Sequence, residues 1–154
     1  MPIVVRPVEI DDLGSVAELM IEMDEFYDEP DRESAETKIV NMREVLFGIP
    51  PSAYTLVAYD EDDPTALGIA AYSYLWPAVG TTRSLYLKEL YVRRAQRRDG
   101  IGRLLMEALV SIARKSECSR VEWTTDRDNF DARAFYVAFV EESVKSKLFY
   151  RFEL

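Results

Sequence analysis

A short glycine-bearing segment between two apolar stretches places the strongest constraint on the fold of this chain. Residues 85–92 are rich in aliphatic and aromatic side chains, which predicts a strand. Apolar residues from Ile101 to Ala113 recur every three or four positions, which predicts an amphipathic helix. The turn between them, at 97–102, directs unpaired N–H groups and the positive end of the helix dipole to one point. It therefore predicts a site for an anion such as phosphate.

The other periodic segments predict an α+β fold around this turn. The hairpin pattern at 54–59 and 66–76 indicates antiparallel strands, whereas the strand–helix–strand pattern from 83 to 125 indicates a parallel pair. Further strands are expected at 3–8 and 148–152, and further helices at about 12–29, 33–47 and 131–140. We expect one domain over residues 1–154, a mixed, mostly antiparallel sheet of roughly six or seven strands, and about four helices.

The composition excludes several kinds of chemistry. The chain contains no histidine, so a catalytic histidine, a Ser-His-Asp triad and most zinc sites are ruled out, and no metal is expected. Cys118 is the single cysteine, which excludes an intrachain disulfide and fits a cytoplasmic protein. Its place between a helix and a strand favours a structural thiol. Because no signal-peptide pattern or membrane-length apolar run occurs, no membrane is expected as a partner.

Negative charge is concentrated at one end of the chain. Residues 1–36 hold 12 acidic residues against Arg6 and Arg32, whereas residues 37–154 hold 16 acidic and 17 basic residues. A net charge of −9 argues against nucleic acid as a partner. The acidic segment either receives a cation or is the solvated face of a helix, formed by Glu18, Glu22, Glu25 and Glu29.

Two sequence blocks together resemble the GNAT superfamily of N-acetyltransferases. The first block is Arg97-x-x-Gly100-x-Gly102, which follows Leu-Tyr-Val and precedes Ile-Gly-x-x-Leu-Leu, and it is similar to the acetyl-CoA signature of the superfamily. The second block, Asn129-x-x-Ala132-x-x-Phe135-Tyr136, lies about 30 residues downstream. Within the superfamily, residues 66–136 look closest to the diamine and thialysine acetyltransferase branch.

The resemblance implies a donor site for acetyl-CoA. The parallel strand pair is then expected to splay, so that the backbone at 90–92 pairs with the pantetheine arm like an added strand. The amides of 98–103 hold the pyrophosphate, and Asn129 and Ala132 lie against the pantetheine. The complete set implied is Leu90, Tyr91, Val92, Arg97, Arg98, Asp99, Gly100, Ile101, Gly102, Arg103, Asn129 and Ala132.

The resemblance also implies two catalytic side chains. Tyr136 matches the general acid that protonates the departing thiolate, although an aromatic at this position also fits a core role. Glu89 interrupts an apolar strand at a position that is usually acidic and is the candidate base; the alternative is a surface or ion-paired strand residue. Two positions depart from the family pattern. Lys88 replaces an acid of the diamine branch, and Val140 replaces a glycine that precedes the last strands.

The function that follows is transfer of an acetyl group from acetyl-CoA to a primary amine of a small, cationic acceptor. Two alternatives stay open: a regulatory module that binds CoA or acyl-CoA without turnover, and an acetyltransferase acting on peptide or protein N-termini. The final apolar segment, 148–152, fits an internal strand, which we favour, or a homodimer interface.

Overall fold

A five-stranded mixed sheet organises the first part of the chain in the computed structural model, which describes residues 2–154. The strands are β1 (Ile3–Pro7), β2 (Tyr54–Asp60), β3 (Asp63–Leu75), β4 (Ser84–Val92) and β5 (Arg120–Trp123), and they lie in chain order across the sheet. The first three pairings are antiparallel, and β4 pairs with β5 in parallel. This confirms the predicted hairpin and the parallel pair.

Helices cover both faces of this sheet. Helices α1 (Leu13–Phe26) and α2 (Ala35–Phe47) enclose a core with one face, in which Ile69 of β3 is buried. Helix α3 (Ile101–Lys115) covers the other face, because Ile101 and Leu105 lie against Gly68, the neighbour of Ile69 on the strand. Neighbouring strand residues point to opposite faces, so this one dipeptide locates both helix layers.

The residues of α3 explain why it docks firmly. Ile101, Leu105, Met106, Leu109 and Ala113 are all buried and repeat at helical spacing. The helix axis therefore lies along the sheet, and its first turn sits next to the end of β4. Two basic residues in its last turn complement the helix dipole.

Residues 124–154 form a second compact unit, whose one helix among the described residues is α4 (Phe130–Tyr136). The predicted strand at 148–152 is wrong, as is the predicted count of six or seven strands. Leu148, Tyr150 and Phe152 are more than three-quarters exposed, and no neighbouring strand among the described residues bonds to this segment. A strand is stable only with a paired neighbour, so β propensity alone did not form one here. The assignment of residues 1–154 to one domain stays a prediction.

No helix within residues 2–154 has both the length and the apolar character that a membrane crossing requires.

Candidate active site

Strand β4 changes its surroundings halfway along its length. Ser84 to Leu87 pair with β3 on one side and with Arg120 to Trp123 of β5 on the other. Beyond Leu87 the pairing with β5 ends, and the remaining residues of β4 pair with β3 alone. From residue 88 to residue 92, one edge of β4 is therefore open in the sense that no strand of the described residues pairs with it.

A β-bulge at Lys88 marks this change. Leu87 lies opposite Tyr72 and Glu89 lies opposite Ala71, so Lys88 has no partner on β3. After the bulge, Glu89 shares the face of the sheet that carries α1 and α2, whereas Leu90 points to the opposite face. Glu89 is half-buried, and Lys88 is exposed.

The main-chain groups of two β4 residues point into the open edge. In an antiparallel pair, alternate residues direct both main-chain groups to the same neighbour. Because Arg93 N donates to Leu67 O at 2.7 Å, the groups of Tyr91 also face β3. Those of Leu90 and Val92 face away from it. Of the three residues implied for pantetheine, Leu90 and Val92 thus direct their main-chain groups away from β3, and Tyr91 does not. Val92 O already accepts one hydrogen bond, from Arg97 Nε at 3.2 Å.

The turn that follows β4 carries a run of amides without partners. The N–H groups of residues 98–103 donate no hydrogen bond to any other part of the chain that the structure describes. Arg98 and Gly100 have φ angles of 72° and 81°, in the left-handed region, and Gly100 caps α3. This chain path turns successive amides toward the start of α3, where the helix dipole adds positive potential. The arrangement fits a pyrophosphate.

The arginines around this turn have different roles. The Arg93 guanidinium donates to Ala66 O at 2.9 and 3.2 Å, and the Arg97 guanidinium stacks on aromatic rings and donates to Val92 O at 3.2 Å. Arg94 and Arg98 are exposed. Of the remaining residues of the predicted set near this turn, Asp99 is exposed, Ile101 is buried and Gly102 is half-buried. Arg103 is exposed and is ion-paired with Glu107 at 3.1 Å.

Two residues of α1 were not identified from sequence as part of this region. Glu22 Oε2 accepts hydrogen bonds from Tyr91 OH at 2.7 Å and from Arg94 N at 3.0 Å, and Phe26 lies under the Arg97 guanidinium. The sequence pattern identifies Glu22 only as one acid of a helix face and Phe26 only as a core residue. Their four-residue spacing, which places both on one side of a helix, was the signal available.

The acidic segment is divided between internal pairs and exposed groups. Asp12 is bound by Arg6 at 2.6 Å, and this hydrogen bond, against the opposing effect of burial, holds the pKa of Asp12 below its ordinary value. Asp24 is bound at 2.7 Å by Lys38, which is itself buried. Other acids of α1 and its C-terminal end are exposed: Glu18, Glu25 and Glu29.

The second sequence block lies in the second unit and has a clear local structure. Asn129 is the N-cap of α4, and its Oδ1 accepts a hydrogen bond from Ala132 N at 3.1 Å. The spacing of three between these residues is that of a side-chain cap. Tyr136 is half-buried at the end of α4, with its ring edge-on to that of Phe135.

The splayed strand, the open amides and the flanking helices define the class of protein. The model of the acetyltransferase (GNAT) family matches residues 17–139, and the chain belongs to this family. None of the residues predicted here to bind the donor or to act in catalysis falls outside this matched range.

Two curated relatives match part of the chain. One is the D-amino-acid N-acetyltransferase HPA3 of Saccharomyces cerevisiae, 31% identical over 93 residues, or 59% of this chain and 58% of the relative. The other is the thialysine N-epsilon-acetyltransferase of Caenorhabditis elegans, 28% identical over 85 residues, or 55% of this chain and 51% of the relative. The chain thus spans little more than half the length of either relative.

Solved structures share the fold over nearly the whole chain. An integron cassette protein from the mobile metagenome of V. cholerae superposes with a TM-score of 0.87 at 26% identity, covering 99% of this chain and 93% of the other. AAC(6')-Iy, solved with the bisubstrate analogue CoA-S-monomethyl-acetylneamine, superposes with a TM-score of 0.79 at 16% identity, covering all of both chains. The second likeness concerns the fold alone.

Proposed function

We propose that this protein transfers the acetyl group of acetyl-CoA directly to a primary amine of a small, cationic acceptor. One observation carries the proposal: the edge of β4 at Leu90 and Val92, which no described strand pairs, leads into residues 98–103, whose six amides have no partner in the part of the chain that the structure describes. An extended chain of amides ending in a pyrophosphate would satisfy both features. Acetyl-CoA has this construction and supplies the activated acyl group.

The open edge supports binding of the pantetheine arm. An amide-bearing arm lying beside Leu90 and Val92 would take the place of the strand neighbour that β5 no longer provides. The pyrophosphate would receive the amides of 98–103, and the N-terminus of α3 would stabilise its charge. These contacts orient the thioester of acetyl-CoA but do not touch the acceptor. Different residues therefore determine specificity for the donor and for the acceptor.

The acceptor is inferred from two observations. The curated relatives are named for N-acetylation of D-amino acids and of the ε-nitrogen of thialysine, which supports an amine on a small molecule. The exposed acids Glu18, Glu25 and Glu29 support a cationic one. The likeness to the diamine and thialysine branch is a weaker guide, because Lys88 places a positive charge where that branch has an acid.

Two side chains are proposed to move protons. The amine nitrogen must lose a proton to attack the acetyl carbonyl, because alkylamines are largely protonated at neutral pH. Glu89, half-buried on the sheet face that carries α1 and α2, accepts that proton directly or through water. As the C–S bond breaks, the CoA thiolate takes a proton from the Tyr136 hydroxyl. The nitrogen of the new amide gives its second proton to the Tyr136 phenolate, and Glu89 releases the first proton to solvent. The products are the N-acetylated amine and free CoA.

The test is release of CoA thiol from acetyl-CoA with a panel of amines, aminoglycosides and peptide N-termini. We expect turnover with small cationic amines. Tyr136→Phe should lower kcat by about 100-fold with little change in KM, the size of a general-acid contribution. Glu89→Gln should also lower kcat, and the loss should shrink at high pH, where more of the amine is already neutral.

Tyr150→Phe is the matched control, because Tyr150 is 84% exposed and lies in the same unit as Tyr136. Equal rates for wild type and Tyr136→Phe would remove Tyr136 from the mechanism. Turnover with peptide N-termini alone would identify the peptide-acetylating alternative. Binding of CoA without turnover on any acceptor would identify the regulatory module.

The homodimer and the cytoplasmic location stay predictions. The exposure of Leu148, Phe149, Tyr150 and Phe152 supports the homodimer, because apolar side chains grouped on a surface are typical of interfaces.

A further inference from the structure

Helix α1 reaches the turn between β4 and α3 with two side chains that lie one helical turn apart. Glu22 binds the last part of β4 and the first residues of the turn, and Phe26 contacts the arginines within it. No other side chain in α1 has a hydrogen bond or ring contact with residues 93–97 among the residues described. These two contacts tie a distant helix to the segment that precedes the open amides.

Glu22 is held as a carboxylate by groups at the end of β4 and in the turn after it. Its Oε2 accepts from Tyr91 OH and Arg94 N, and its Oε1 lies 3.9 Å from the Arg93 guanidinium. Burial opposes its ionisation, but these hydrogen bonds and charges outweigh burial, so the pKa of Glu22 lies below its ordinary value. Burial, together with the hydrogen bond to Glu22, raises the pKa of Tyr91 to about 12.

Phe26 fixes the far end of the same turn. The Arg97 guanidinium carbon lies 4.3 Å from the Phe26 ring centroid and 5.2 Å from that of Tyr91, while its Nε donates to Val92 O. The Arg94 guanidinium carbon lies 5.4 Å from the Phe26 centroid. Arg97 is thus held between two rings and a carbonyl, immediately before the first unbonded amide at Arg98.

We propose that Glu22 and Phe26 are positioning residues that fix the turn 93–97, so that the amides of 98–103 already converge before acetyl-CoA binds. This inference rests on the proposed function, because it takes acetyl-CoA as the ligand. A loop that is ordered in advance spares the donor the entropy cost of ordering it. Glu22 acts through the turn and not on the donor, since a carboxylate facing a pyrophosphate would repel it.

The experiment measures the Kd of CoA by calorimetry, and kcat and KM by thiol release, for Glu22→Gln and Phe26→Leu. We expect the Kd of CoA and the KM of acetyl-CoA to rise about tenfold, or about 1.4 kcal/mol. At saturating acetyl-CoA, kcat and the KM of the amine should be unchanged. Glu44→Gln is the matched control, because Glu44 is an exposed acid of helix α2 and its carboxylate has no bonded partner among the described residues.

The outcomes separate the two proposals. Wild-type protein that fails to bind CoA overturns the proposed function. Wild-type protein that binds CoA no more tightly than Glu22→Gln and Phe26→Leu overturns the positioning role and leaves the proposed function intact. A lower kcat together with a higher KM for both the amine and the donor would show a general structural defect. That result would also overturn the positioning role. If Glu22→Gln does not fold, Phe26→Leu carries the same test.

Discussion

The segments before and after Arg97 are adjacent in sequence and opposite in bonding. Residues 93–97 are bound to α1, to β3 and to the end of β4 through Glu22, Leu67, Ala66 and Val92. Residues 98–103 leave all their amides without partners among the described residues. Unbonded amides are tolerated at a surface where water can reach them, and a ligand can replace that water.

This difference shows how a loop can be both open and fixed. The anchored segment provides rigidity, and the open segment provides hydrogen-bond donors. The arginines make the same point, because Arg93 and Arg97 are used within the protein, whereas Arg98 is exposed. A basic cluster in a sequence therefore does not mean that every member faces the ligand.

The largest effect is expected from a substitution that displaces the anchored segment, 93–97, and the open segment, 98–103, together. A Cβ at Gly68 would lie 3.1 Å from atoms of Ile101 and Leu105 and 3.2 Å from Tyr91 O, so it would push the start of α3 away from β3 and crowd the main chain of β4. Gly68→Val should lower the free energy of unfolding by about 2 kcal/mol, as overpacking does. Urea denaturation measures this loss, and CoA binding should weaken with it.

Gly68→Ala is the graded control. It should lower the free energy of unfolding by less than Gly68→Val does, because it adds only one carbon. Wild-type stability in Gly68→Val would contradict the close approach of α3 to β3.

A smaller effect is expected from changing the open segment alone. Gly100 has a φ of 81°, and a Cβ added there would meet no other atom within 4 Å, so only backbone strain opposes Gly100→Ala. The expected loss is about 1.5 kcal/mol of unfolding free energy, together with weaker CoA binding as the amides shift.

Gly14→Ala is the comparison, because Gly14 also has open space around it but lies in α1 without a positive φ. It should retain or gain stability. If thermal denaturation finds the two alanine variants equally stable relative to wild type, the left-handed conformation at Gly100 is not required.

The smallest effect concerns pH and the anchored segment. The pKa of Glu22 is lower in the folded protein than in the unfolded chain, so its contribution is full above the unfolded pKa and is lost as pH falls through the folded value. At pH 7 the free energy of unfolding of wild type should exceed that of Glu22→Gln by about 1 kcal/mol. This gap should narrow as the pH falls from the ordinary glutamate pKa of about 4.3 toward the lower pKa of Glu22 in the folded protein.

Urea denaturation of wild type and of Glu22→Gln at neutral and at acid pH measures this difference in the free energy of unfolding. Other acids such as Asp12 titrate in both proteins, so their effect cancels in the difference. A gap that stays constant with pH would show that the charge of Glu22 does not stabilise the turn.

The sequence pattern was sufficient to predict the structure wherever residues close together in the chain determine it. The spacing from Ile101 to Ala113 predicted α3, and the glycines at 100 and 102 predicted the turn before it. The interval between Asn129 and Ala132 had a local cause as well, a helix cap. Pattern failed at 148–152, where the residues favour a strand but no neighbouring strand in the described part of the chain bonds to them.

By itself, the sequence determined the strand–turn–helix unit, the absence of histidine chemistry and the family resemblance, because each depends on residue type and spacing along the chain. Only the tertiary structure decided that β4 parts from β5 after Leu87, that Leu90 and Val92 face the gap, and that Glu22 reaches the turn from a helix about 70 residues away. The physical reason is that main-chain pairing and side-chain burial are properties of neighbours in space, which a linear pattern does not specify.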